Sequence, residues 1–258
     1  MKAVLNTEIP KEETRSDWLQ RPLSASQIKY AALDVAHMLI IYGMLLQNLK
    51  ASERLDWVKD DCADLVANAC KPDNFNEAYH KVGFAWKLRA QELAILRDLC
   101  IWRETEARSR NIPRNRLIKE PALWEIARKQ PHDIVHLQRI EDIPSRTIKN
   151  DAQTILDIVQ ASAKTDSSSW PVRLVQPLAL SEGPLLKALK QCVRDAAEIL
   201  NVPSEILIRK KEYEAIVRSG LKGGSYMLPL RLQGWRFSVI GEKLLTTAQL
   251  FTPTTVDD

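Results

Sequence analysis

Apolar residues along this chain recur at steps of three and four, and this spacing sets out a series of helices. Ile28, Ala31, Ala32, Val35, Leu39 and Tyr42 line one helical face. Ser24 precedes them as an N-cap, with Gln27 three residues on in the capping-box arrangement. The pattern predicts a helix from Ser24 to about Leu49, bent at Gly43. Leu55, Val58, Cys62 and Leu65 predict a second helix, closed by the turn Lys71-Pro72-Asp73-Asn74. Leu88, Leu93, Leu96, Leu99 and Trp102 predict a long helix from Phe84 to about Arg110, ended by Asn111-Ile112-Pro113. Further helical stretches follow Pro121, run from His132 to Arg139, and run from Pro144 to Gln160. Residues 1–22 are irregular, with Leu5, Ile9 and Trp18 as anchors to a core.

The later chain repeats itself at an offset of 90. Asn111-Ile112-Pro113 returns as Asn201-Val202-Pro203, and Leu117-Ile118 as Leu207-Ile208. Leu99, Leu123 and Ile126 find Leu189, Tyr213 and Ile216 at the same offset. A shared break flanked by matching apolar positions marks an internal repeat. The stretch 164–186, with Thr165-Asp166-Ser167-Ser168-Ser169, reads as a linker by composition. The second copy is less regular, because Gly223-Gly224 and Gln233-Gly234-Trp235-Arg236 interrupt its last part.

Bulk composition narrows the class. The 258 residues are 45% hydrophobic and 27% charged, with eight glycines, as befits a largely helical globular chain. The net charge of +4 is unevenly spread: 51–80 hold three basic and seven acidic residues, and 81–160 hold 15 basic and 11 acidic. Clustered basic charge suits a phosphate backbone. Asp60, Asp61 and Asp64 read as a solvated helix face. Cys62, Cys70, Cys100 and Cys192 lack C-x-x-C spacing and read as small buried apolar residues in a reducing cytoplasm. The apolar run Met38 to Leu46 is too short to span a bilayer, so no membrane association is expected. His132 and His136 read as a partly buried structural pair without a carboxylate partner.

On the first helix Tyr30 and Asp34 are four residues apart, so phenol and carboxylate share a side and could hold a water and a metal together. Their surroundings are distinctive. Ser16-Asp17-Trp18-Leu19-Gln20-Arg21-Pro22-Leu23, followed by Gln27, Tyr30, Ala31, Asp34 and Val35, resembles the third exonuclease motif of ribonuclease D. That family is the tyrosine-containing branch of the DEDD exonucleases. Leu5-Asn6, Ile9-Pro10-Lys11 and Thr14-Arg15 fit the family's approach to this helix. Each copy of the repeat resembles the helicase-and-ribonuclease-D C-terminal (HRDC) domain, a nucleic-acid-binding helical module that the family carries in tandem.

The resemblance implies a mainly α chain: the C-terminal end of an α/β exonuclease domain (1–50), a connecting helix (51–83), a first HRDC domain (84–163), the linker (164–186) and a second HRDC-like domain (187–256). It implies a 3′–5′ exoribonuclease that trims tRNA precursors in the cytoplasm. Asp34 would bind a divalent metal, Mg²⁺ or Mn²⁺, and Tyr30 would orient the attacking water. Two-metal hydrolysis needs about four carboxylates. The family's D-x-E motif occurs nowhere in the chain, so it is expected to be a fragment, inactive alone. The alternative is a non-catalytic RNA-binding module. RNA contacts are expected at Arg108, Arg110, Arg114, Arg116 and Lys119, and in the second copy at Arg209, Lys210 and Lys211. The first module is expected to carry most of the affinity.

Overall fold

A computed structural model describes residues 13–251 and, among them, contains helices and no strand. The chain forms two units, 1–71 and 72–258. The anchors Leu5 and Ile9, with Asn6, Pro10 and Lys11, lie outside the described residues.

The first unit holds helix α1 (Ala25–Ala51) and helix α2 (Leu55–Ala69). The capping box forms as expected. Ser24 Oγ accepts from the Gln27 amide at 3.1 Å, and the Ser24 amide donates to Gln27 Oε1 at 2.9 Å. Helix α1 continues through Gly43 to Ala51, beyond the expected end at Leu49. Gln27 is its one buried residue. Val35, Leu39 and Tyr42, placed on one apolar face by their spacing, are all more than 60% exposed. A window of 18 residues in α1 has a mean hydropathy of 1.4, enough by length and composition to cross a membrane. The run Met38–Leu46 understates this, because the helix scatters its few charged residues among apolar ones. Cys62 and Cys70 are exposed, against expectation, since α2 buries none of its residues. Cys100 is buried, which pushes its thiol up to about 12, and Cys192 is half-buried.

The second unit has two apolar clusters. Helix α3 (Ala90–Ser109) is the axis of the first, with Leu93, Ala94, Ile95 and Leu96 consecutively at 0% exposure. A helix buried on every side is the centre of a bundle. Short α4 (Arg114–Leu117), α5 (Glu120–Lys129), α6 (Ile134–Gln138) and α7 (Ser145–Ala163) surround it. The expected helix start at Phe84 is wrong. Phe84 has a left-handed backbone (φ 61°) before a 3₁₀ turn at Ala85–Lys87, and the α-helix begins at Ala90.

The second cluster gathers α8 (Gly183–Leu200), short α9 (Ser204–Leu207), α10 (Lys210–Gly220) and α11 (Glu242–Leu250). Helix α8 begins at Gly183, within the expected linker. The irregular stretch after α10 ends in a π-helical turn, Phe237–Gly241, that runs into α11. Gly224 is required there: a Cβ would stand 2.5 Å from the Ser219 carbonyl oxygen.

The turn shared by the two copies is reproduced in its backbone bonds. Asn111 and Asn201 end α3 and α8 in left-handed conformations, φ 49° and 51°. The Ile112 amide donates to the Ala107 carbonyl and the Val202 amide to the Ala197 carbonyl, each at 3.0 Å. Leu117 and Ile118, and Leu207 and Ile208, then enter their cores at 2% exposure or less.

Candidate catalytic helix and nucleic-acid interface

Helix α1 carries Tyr30 and Asp34 one turn apart, both half-buried. The polypeptide before it is tied down by Gln27, whose Nε2 donates to Ser16 Oγ (3.2 Å) and to the Asp17 carbonyl (3.0 Å). Trp18 is fixed by its Nε1–H bond to the Glu13 carbonyl (3.0 Å), and its ring lies 6.0 Å from that of Tyr30. The motif therefore folds as one polar knot around the start of α1. Asp34 offers the hard oxygen that Mg²⁺ or Mn²⁺ favours. Among the described residues, no group of three or more metal-ligating side chains includes it. It can serve as one ligand of a larger set and cannot form a two-metal centre by itself.

The expected RNA-binding cations of the first module are largely committed to partners within the fold. Arg108 donates to Glu104 Oε2 and to Asp73, both at 2.8 Å, and its guanidinium lies 4.4 Å from the Phe75 ring centroid. Arg114 reaches Glu104 Oε1 at 3.1 Å. Burial tends to raise the Glu104 carboxyl, but the hydrogen bonds from Arg108 and Arg114 outweigh it and hold the group below its ordinary value. Arg110 grips Asp151 on α7 through both terminal nitrogens, at 2.9 and 2.5 Å, and bonds Glu106 through Nε. Lys119 pairs with Asp142 at 2.5 Å. Arg116 is exposed and, among the described residues, forms no ion pair.

The corresponding positions of the second module are looser. Lys210 is 90% exposed and 3.9 Å from Glu214, while exposed Arg209 and Lys211 form no ion pair among the described residues. Two buried groups escaped the sequence reading. Arg236 is 3% exposed and donates through Nε and Nη2 to the Ile206 carbonyl, at 3.1 and 3.0 Å. Glu212, also buried, accepts from the Arg209 amide at 2.5 Å.

The histidine pair needs correcting. Asp133 supplies a carboxylate partner that the spacing of the two histidines does not predict: it lies 2.7 Å from His136 Nδ1 and 3.4 Å from His132 Nε2. His132 is exposed, and the Asp133 side chain caps α6 by accepting from the His136 amide. The signal was present in the sequence, since Asp133 is adjacent to His132.

Comparison with known proteins matches two parts of the chain to family models. Residues 1–50 match the family model described as 3′-5′ exonuclease, and residues 92–159 match the HRDC domain. Ribonuclease D of Pseudomonas paraeruginosa is 43% identical over 249 residues, 96% of this chain and 66% of that protein. Ribonuclease D of Escherichia coli is 29% identical over 242 residues, 92% of this chain and 63% of that protein. The crystal structure of Escherichia coli RNase D, an exoribonuclease involved in structured RNA processing, matches with a TM-score of 0.82 at 26% identity, over 96% of this chain and 66% of that one. A protein of Bifidobacterium adolescentis shares the fold at a TM-score of 0.64 and 20% identity, over 96% of this chain and 68% of that one. The chain spans 63% to 66% of the length of these two curated relatives. On this likeness, the chain belongs to the ribonuclease D family.

Proposed function

We propose that this chain is the RNA-gripping and motif-three part of a metal-dependent 3′–5′ exoribonuclease of the ribonuclease D type, acting on the 3′ ends of tRNA precursors. The observation that carries the reading is Tyr30 above Asp34 on a capped helix, inside a segment that matches a 3′–5′ exonuclease model. Asp34 would supply one oxygen ligand to a divalent cation, Mg²⁺ or Mn²⁺, whose chemistry is to activate water and neutralise the phosphodiester. Tyr30 would hold the attacking water by its phenol. The apolar side of α1 would pack against the rest of such a domain, and the remaining carboxylates would come from there. In a protein joining this chain to those acidic strands, Asp34→Ala should abolish nucleotide release, whereas Tyr30→Phe should slow it with RNA affinity unchanged. Equal single-turnover rates for Tyr30→Phe and the unaltered protein would remove Tyr30 from the mechanism.

The two bundles of the second unit would act as tandem HRDC-type grips on the RNA body. The shared turn at Asn111 and Asn201 supports this pairing. Cations already neutralised by carboxylates release few counterions, so Arg116, Arg209 and Lys211 are the stronger phosphate contacts. Arg108, Arg110, Arg114, Lys119 and Lys210 would bind RNA only by sharing their present partners. Replacing Arg116, Arg209 and Lys211 with Ala should make the slope of log K against log salt shallower by about 2 to 3. An unchanged slope in tRNA titrations would show these cations to be ordinary surface.

A further inference from the structure

One surface of the first module lies outside the basic turn discussed above and has its own chemistry. Phe84 combines a left-handed backbone (φ 61°) with a ring that is 64% exposed. A bulky residue in that region is strained, and such strain persists only where the surrounding structure enforces it. Here Ala85 and Leu88, each 1% exposed, anchor the turn to the core. Trp124 on α5 donates its Nε1–H to the Phe84 carbonyl at 3.1 Å. The anchoring presents the ring to solvent, where it adds nothing to the core.

Cations stand against the aromatic rings at this place. Lys87 Nζ lies 4.8 Å from the Phe84 ring centroid and 5.4 Å from that of Trp86. The Arg128 guanidinium is 5.1 Å from the Trp124 ring centroid. Neither Lys87 nor Arg128 forms an ion pair among the described residues, in contrast to Arg108, Arg110 and Arg114. Aromatic faces beside uncommitted cations are what unpaired nucleotides require: bases stack on rings of any sequence, and the adjacent charges meet the phosphates.

We propose that Phe84, Trp86 and Trp124, with Lys87 and Arg128, form a stacking platform for a single-stranded stretch of RNA. The inference rests on the reading of this unit as an RNA grip, and adds that the first module separates unpaired nucleotides from the structured body. Its test uses the full chain with two probes: a fluorescent oligouridylate of about twelve nucleotides, within the usual site size of such surfaces, and a blunt RNA hairpin. Phe84→Gly removes the ring and suits the positive φ, so its thermal midpoint should stay level or rise. It should bind the oligouridylate about tenfold more weakly, the loss of one base stack, with hairpin affinity and salt slope unchanged. Lys87→Gln with Arg128→Gln should make the oligouridylate salt slope shallower by about 1 to 2. Unaltered oligouridylate affinity in Phe84→Gly would overturn the proposal, as would equal loss on both probes. A proline-rich peptide that competes for the patch and is lost in Phe84→Gly would overturn it too, assigning the surface to protein recognition. If the unaltered chain binds the hairpin but not the oligouridylate, this proposal falls and the RNA-grip reading stands; if it binds neither, both fall.

Discussion

Arg103 lies on α3 with its side chain 1% exposed, and only Nη2 meets a partner, Glu104 Oε1 at 3.5 Å. Its Nε and Nη1 find no hydrogen bond among the described residues. A buried charge so thinly compensated contributes little to stability, and a shape-matched apolar side chain often serves as well or better. Arg103→Met should therefore leave the thermal midpoint level or raise it. Arg103→Ala should cost about 2 to 5 kcal/mol, as a large-to-small change that opens a cavity. A clear loss of stability in Arg103→Met by calorimetry would show the charge to be needed. Glu104 loses little in that exchange, because Arg108 and Arg114 remain on it. Its carboxyl titrates below the ordinary 4.5 in the folded chain. A depressed carboxylate stabilises the fold above its unfolded value, and that contribution is lost as pH falls through the folded value. Stability should therefore drop as the pH is lowered below about 4.5, and Glu104→Gln should flatten that drop while lowering stability at neutral pH. Denaturant midpoints measured from pH 3 to 7 in both proteins would check this.

At the scale of elements, the chain announces its breaks better than its beginnings. Asn-x-Pro at 111 and 201 was legible because Asn tolerates the left-handed region and Pro cannot continue a helix. The matched φ values and the matched amide bonds of Ile112 and Val202 are the physical content of that repeat. Asn111→Ala and Asn201→Ala should each cost about 1 kcal/mol, and the Gly variants should be neutral or stabilising. Unequal losses in thermal melts of the two Ala variants would separate the turns energetically. The start of α3 was misread because apolar spacing runs on through Trp86 and Leu88. The turn at Phe84 is set by Trp124, 40 residues away, and no local pattern carries that contact. The same holds for the basic turn. Its arginines stand together in sequence, but Asp151, 41 residues from Arg110, decides that this charge is a brace between α3 and α7. The exposure of Cys62 on α2, and of Cys70 just past its end, was hidden for the opposite reason: the helix has an apolar stripe but buries no residue of it.

At the scale of the whole molecule, the two units differ in how much of their apolar surface is used. The second unit buries two full clusters, while the first, among the described residues, buries only Gln27. Helix α1 thus presents the motif-three residues on an element whose packing face is open. Chemistry follows the same line. Phosphodiester hydrolysis through two cations about 4 Å apart needs several carboxylates to hold them and cancel their charge. Asp34 is a single carboxylate, and among the described residues no ligand group of three or more contains it. The 258-residue chain alone, given Mg²⁺ or Mn²⁺, should therefore bind a tRNA precursor without releasing nucleotides from its 3′ end. A 3′-labelled precursor read for mononucleotide release checks this, with the salt-dependent affinity measured on the same RNA. Metal-dependent release that disappears in Asp34→Ala would overturn the expectation, since it would mean that the chain completes the centre with groups beyond those described. Binding without release, with the salt slope carried by Arg116, Arg209 and Lys211, would divide the molecule as its two units suggest: a grip in the second and one catalytic helix in the first.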